Sequence, residues 1–182
     1  VGPTLGKEMT RKAMIAIAFV VLAILAFIAF TFREVSRPVS SWKYGVIAMV
    51  TLLHDIIGPT GVYVLLSHYY GAEVDTLFVI ALLTILGISI SDKIVVFDRI
   101  RENLKSGSKK DFSEIVGMSL KQTFTRSINT SVTVVLALVA LYFYGPVTTK
   151  FFALTLTVGM IVGTYSSIFV ASPLLTVWNK NK

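Results

Sequence analysis

Five apolar runs of about twenty residues, near 12–32, 44–66, 76–97, 123–144 and 150–177, leave this 182-residue chain little choice of architecture. A hydrocarbon core of roughly 30 Å needs about 20 residues of helix, and a backbone in lipid must satisfy its own hydrogen bonds, so each run reads as a membrane-spanning helix. Hydrophobic residues make up 54% of the chain and charged ones 15%, with a mean hydropathy of +0.76, beyond what a water-soluble domain of this size carries. The predicted fold is an all-α membrane protein: an extracytoplasmic lead-in over 1–10, then a single transmembrane helical domain over 11–182. The first run is too long for a signal peptide and no small-residue cleavage site follows it, so it reads as a retained helix. With no cysteine, disulfides and thiolate metal sites are excluded.

Five spans put the termini on opposite sides of the bilayer. With the N-terminus outside, thirteen Lys and Arg fall on or near the inner side: Arg33, Arg37, Lys43, Lys93, Arg99, Arg101, Lys105, Lys109, Lys110, Lys121, Arg126, Lys180 and Lys182. Only Lys7, Arg11, Lys12 and Lys150 fall outside, and cytoplasmic flanks are the ones that collect basic residues. The net charge of +7 therefore reads as topology rather than as a nucleic-acid surface, because the basic residues sit between apolar spans. Tyr69, Tyr70 and Tyr144 then belong to an outer aromatic belt, Trp42 and Trp178 to an inner one. Residues 104–122 cannot cross, yet Phe112, Ile115, Val116 and Leu120 recur at helical spacing, and Asp111 with Glu114 reads as a capping box. A short interfacial helix near 111–121 is predicted between the third and fourth spans, with a solvated basic loop as the alternative.

Charges inside the spans carry the functional reading. Asp92, in the run Gly87-Ile88-Ser89-Ile90-Ser91-Asp92-Lys93, lies in the inner part of the third span. A carboxylate within a span costs about 2.5–3.5 kcal/mol on insertion scales at mid-membrane, so such groups face a bundle interior and serve ion or proton traffic. The alternative is a structural pair or a snorkelling helix-end residue, with Lys93 and Asp98 as local partners. Arg126 reaches similar depth if the third and fourth spans are antiparallel neighbours, and is expected to pair with Asp92; plain inner-side anchoring competes with that reading. A carboxylate held between an ion pair and a dry environment changes protonation when helices move. Ser89 and Ser91 add polarity beside it. Arg126, Asn129, Thr130 and Thr133 recur every three to four residues, a stripe that wants a protein-facing or wet environment.

In the second span Asp55 is the deepest charge, and its neighbour His54 serves either as a proton relay or as a helix-packing hydrogen bond. Gly58, Pro59 and Gly61 loosen the backbone there, more simply a kink than a gate. Gly159, Gly163, Ser166 and Ser167 form a small-residue stripe that lets two helices approach closely, which reads as packing. No phosphate loop, nucleophile elbow or histidine cluster occurs, so neither an enzyme, nor a metal site, nor a cofactor is expected.

Taken in order along the chain, these residues resemble the SecD/SecF protein-export family, relatives of the resistance-nodulation-division transporters. Val1-Gly2-Pro3 through Gly6 resembles the lead into that family's second helix. His54-Asp55 is similar to its histidine-aspartate pair, and Asp98-Arg99-Ile100-Arg101-Glu102-Asn103 to its signature run. Ser119, Gln122-Thr123, Arg126, Thr130-Ser131 and the stretch from Gly159 to Ser167 follow in the same order. The resemblance implies a half bundle of the transporter type that works with a SecD-like subunit and the SecYEG channel, in the cytoplasmic membrane of a prokaryote. It implies the use of protons as coupling ion to draw an unfolded exported polypeptide across the lipid bilayer, with Asp92 and Arg126 at the coupling positions; Asp55, a second buried charge, is expected to take part in the proton coupling by supporting a wet proton path. Two departures stand out: Ile88 and Ser91 replace a tyrosine and an asparagine, and Lys93 replaces a small hydroxyl residue, placing an ammonium beside Asp92. The family's first helix and extracytoplasmic domain are not in this sequence, so a portion of a longer protein is expected. No internal repeat is visible, and a second half is expected from another polypeptide or a removed segment. Half of a lipid or drug exporter, or a non-transporting scaffold subunit, are the competing functions.

Overall fold

A computed structural model describes residues 3–31, 41–106 and 110–180; side chains at 3–7, 9, 10, 29, 31, 41 and 180 are not described. Arg33, Arg37, Lys109 and Lys182, counted above for orientation, and Val1-Gly2 of the resemblance lie outside the described residues. Five helices long and apolar enough to cross a membrane are present, in the expected order. They are α1 (Pro3–Thr31), α2 (Ser41–Tyr70), α3 (Thr76–Lys105), α4 (Phe112–Tyr144) and α5 (Lys150–Ser166), the last extended by a π-helical turn (Ser167–Ala171) into α6 (Ser172–Lys180). No strand occurs among the described residues. α5 is the hub, touching α2, α3 and α4, whereas α1 leans on the outside against α2 and α3.

The connections follow from local chemistry. Gly71 ends α2 at φ +67°, a left-handed conformation that costs a side-chain-bearing residue energy, and its N–H closes onto the Ser67 carbonyl at 3.1 Å. Asp75 then caps α3 by accepting from the Phe78 N–H at 2.9 Å. Pro59 lies inside α2, which runs on through it; a proline there removes the N–H that would have bonded the Asp55 carbonyl.

Three expectations change. α1 starts at Pro3, so most of the expected lead-in over 1–10 is already helical. The separate interfacial helix does not form: residues 112–121 are the first turns of the 33-residue α4. Nothing between Phe112 and Tyr144 breaks a helix except the single Gly117, and the apolar positions that were to lie on lipid pack on α3 instead, Ile115 and Val116 being 3% and 2% exposed. Asp111 does occupy the N-cap, but its side chain caps nothing, so the capping box is absent. The last span is interrupted rather than uniform. Pro173 cannot donate to the Phe169 carbonyl, and the helix widens over 167–171 to accommodate the ring, with Ser172 Oγ donating to the Ser167 carbonyl at 3.2 Å.

Two apolar clusters fill the bundle. One gathers Ile28, Tyr44, Ile47, Leu52, Phe97, Ile100, Val116 and Leu175; the other gathers Tyr63, Phe78, Leu82, Ile85, Leu138, Leu156 and Met160. Between them every helix from α2 to α5 turns polar at the same level: Asp55, then Ser89 to Lys93, then Ser127 to Ser131, then Thr164 to Ser167. The aromatic belts are at the two ends. Tyr69, Tyr70 and Tyr144 are 73%, 75% and 92% exposed at one, while Trp42 meets Trp178 edge-on at 5.4 Å at the other, where Lys43 Nζ donates to the Trp178 carbonyl at 3.3 Å.

Candidate functional site

The polar layer is built around Asp92. Its carboxylate is half-buried on α3 and accepts from Ser127 Oγ on α4 at 2.5 Å and from Ser167 Oγ in the π-helical turn. One turn further along α4, Ser131 and Thr164 hydrogen-bond to each other across the α4–α5 contact. Asp92, Ser131 and Thr164 line a cavity of about 250 Å³ between α3, α4 and α5, whose wall also includes Gly87, Ser91, Arg126 and Thr130. That volume has room for several water molecules beside groups able to bond them.

Asp92 and Arg126 share this cavity but form no ion pair, and the pair expected from depth alone is thereby corrected. Arg126 and Ser127 are consecutive, about 100° apart around the helix. The face of α4 that meets α3 presents Ser127, and the guanidinium is left on the exposed side of the cavity wall. Asn129, Thr130 and Thr133 share that exposed side. The stripe turned inward is a different one, Ser119, Thr123, Ser127 and Ser131, at a strict four-residue spacing of small hydroxyls. That periodicity was present in the sequence and was missed. Each of its hydroxyls bonds back to its own helix or across to another side chain, so none is stranded in the packed contact.

Lys93 is the largest departure from expectation. Rather than anchoring the inner surface or sitting on Asp92, it is 0% exposed and ion-paired with Asp55, itself 0% exposed, on α2. Its ammonium also donates to Ser89 Oγ at 2.6 Å, and Ser89 donates to Asp55. His54 Nδ1 lies 3.2 Å from the other Asp55 oxygen, with half of the His54 side chain exposed. Consecutive residues again point apart: Asp92 turns to α4 and α5, Lys93 to α2. Ser89 lines the cavity and belongs to the ion-pair cluster, so it joins the two.

The small residues of α5 do pack closely. A Cβ at Gly163 would lie 3.1 Å from Ser89 Oγ, and one at Gly159 would run into the Ile85 side chain. Ser166 is fully buried with no hydrogen-bond partner for its hydroxyl, consistent with packing. Ser167, predicted to be a packing residue, instead ligates Asp92.

The Asp98-to-Asn103 run forms a clamp at the polar end of the bundle. Arg99 Nε donates to Gln122 Oε1 at 2.7 Å and pairs with Glu102 at 2.5 Å. Asn103 Nδ2 donates to Ser119 Oγ and to Gln122 Oε1, both at 2.8 Å, while Arg101 lies 3.8 Å from Asp98. The tail of α3 is thereby tied to the head of α4, beyond the depth of lipid that either helix needs for crossing. Among the described residues no His, Asp and Glu converge as a metal site would require.

Residues 1–181 match the family model described as protein export membrane protein SecD/SecF, C-terminal. The protein translocase subunit SecF of Thermobaculum terrenum is 49% identical over 98% of this chain and 55% of its own length. The protein translocase subunit SecDF of Thermus thermophilus is 40% identical over 100% of this chain and 23% of its own. A crystal structure of SecDF in its super-membrane-facing form superposes with a TM-score of 0.83 at 39% identity, covering 100% of this chain and 22% of that one. The chain thus spans about half the length of the SecF relatives it matches. From the matched model, the relatives and the bundle geometry together, the chain belongs to the SecD/SecF family of protein export membrane proteins.

Proposed function

We propose that this bundle is the membrane portion of a SecF-type subunit that uses the proton motive force to promote polypeptide export, and that Asp92 is its proton-carrying group. The observation that carries the reading is a half-buried carboxylate, held by serines from two other elements, on the wall of a cavity between three helices that an arginine also lines. Each ligand of Asp92 sits on a different element, so a relative movement of α3, α4 or the π-helical turn changes what the carboxylate touches. Arg126 approaches when the cavity narrows and withdraws when it opens, which makes it the switchable partner. One charge moved across 100 mV releases about 2.3 kcal/mol, enough to bias two helix arrangements that differ by a few kcal/mol.

Relatives named as single SecDF chains support a SecD-like partner for this half bundle, and the exposed side of the cavity with Arg126, Asn129 and Thr130 is where it docks. SecYEG, the exported polypeptide and the surrounding lipid complete the assembly. In this reading the N-terminus faces outward and the C-terminus the cytoplasm of a prokaryotic inner membrane, an orientation supported by the surplus of Lys and Arg at the Trp42–Trp178 end. No bond is made or broken by the subunit itself.

The test is proton flux and translocation in vesicles holding the full-length subunit with its partners under an imposed gradient. Asp92→Asn and Arg126→Ala are expected to reduce both readouts to the level of vesicles lacking the subunit. Wild-type flux in both variants overturns the reading. Translocation that survives Asp92→Asn in an intact complex assigns the subunit a scaffolding role instead.

A further inference from the structure

Lys93 directly follows the acid on which the proposed mechanism depends, and its charge is within electrostatic reach of Asp92. Its ammonium nevertheless lies on the far side of α3. We propose that Asp55 is a positioning residue: its carboxylate holds the Lys93 ammonium on the α2 side of the bundle, so that Asp92 is left to Ser127, Ser167 and Arg126. This rests on the reading of Asp92 as proton carrier, and replaces the expectation that Asp55 itself lies on the proton path.

The geometry makes this a built device. Asp55 and Lys93 are both 0% exposed and come from different helices, and the pair is closed by Ser89, which donates to one and accepts from the other. His54 occupies the remaining Asp55 oxygen. A buried ammonium that loses its carboxylate keeps its full desolvation cost and turns to any other anion it can reach. The lysine stem is long and has many rotamers, and the other carboxylate whose charge reaches it is Asp92, one residue back on the same helix. The groups facing Asp92 from its neighbours are the two serines and, across the cavity, Arg126. None of these is an anion that would draw Lys93 elsewhere. Without Asp55, therefore, a fixed positive charge settles on Asp92, which then holds its ionised form and stops exchanging protons. The need for Asp55 is a need created by Lys93.

The prediction is a rescue, tested in vesicles containing the full-length subunit with its partners. Asp55→Asn alone is expected to reduce gradient-driven proton flux by about tenfold or more, the scale of a close buried charge contact. Asp55→Asn combined with Lys93→Met removes the ammonium together with its anchor and restores flux to within about threefold of wild type, a non-additive pair. Should the single variant fail to fold while the double variant folds and conducts, the proposal stands, because Asp55 is then dispensable once Lys93 is gone. A folded double variant as inactive as the single one overturns it and returns Asp55 to the proton path; wild-type flux in Asp55→Asn overturns it as well. Asp92→Asn in the same series separates the two claims. If that variant conducts normally, the proton-carrier reading fails, whereas a dead Asp92→Asn beside a dead double variant sinks only the role given to Asp55.

Discussion

Replacing Gly159 by alanine probes the contact that sets the distance between α5 and α3, and so the reach of Ser167 to Asp92. A Cβ at this position would overlap Ile85 Cγ1 and Cδ1 and stand 3.1 Å from Cγ2, so the collision runs from the tip of the side chain to its branched base and a turn of the tip alone does not relieve it. Overpacking of this kind costs about 1–3 kcal/mol, against a gain of about 1 kcal/mol from the better helix propensity of alanine. At Gly61 and Gly117 nothing lies within 4 Å of the added carbon, and the same substitution keeps only the gain. The expected separation between Gly159→Ala and these two controls is therefore about 1–3 kcal/mol, read from denaturant unfolding of the purified protein in mild detergent. Ile85→Ala should relieve the collision, so the double variant loses less stability than the two single losses added together. If Gly159→Ala unfolds at the same denaturant concentration as Gly117→Ala, the close α5–α3 approach is wrong.

Two further outcomes follow from the same geometry. Asn103→Ala removes the buried donor that ties α3 to both Ser119 and Gln122, and is expected to cost about 1–3 kcal/mol in the same unfolding assay, while Lys12→Ala should cost under about 1 kcal/mol because both members of its 2.8 Å pair with Glu8 are exposed. Because the chain has no cysteine, single substitutions at Ser106 and Val74, both exposed and at opposite ends of α3, can be labelled with a membrane-impermeant maleimide; Ser106→Cys should react only from the cytoplasmic side and Val74→Cys only from outside.

Hydropathy made the five spans readable because length and apolar content are properties of one segment at a time. What escaped depended on two helices at once, or on rotation about one. Depth suggested that Asp92 and Arg126 meet, and they do share a cavity, but the angular position of a residue decides its partner, and Ser127 rather than Arg126 faces α3. The same reasoning applied to α2 would have found Lys93, since it and Asp55 lie at roughly four to five helical turns from the 71–75 connection. Lys93 was instead read as one more inner-side cation. The continuity of α4 was legible in the absence of a breaker, and was missed because a polar stretch was taken as an interfacial element. Pro173 offered the signal for the π-helical turn; without that turn considered, Ser167 looked like one more small packing residue. The family resemblance had placed Ser119 and Gln122 in order without saying what they bond, and the structure gives them to Arg99 and Asn103.

Infrared difference spectroscopy tests most directly whether Asp92 exchanges a proton as the bundle works. Vesicles containing the assembled complex would be switched between opposite pH gradients while the stretching band of protonated carboxyl groups is followed, with Asp92→Asn as the assignment control. A band that rises and falls with the gradient and vanishes in Asp92→Asn is the expected result. An unchanged carboxyl region while polypeptide export continues would contradict the account.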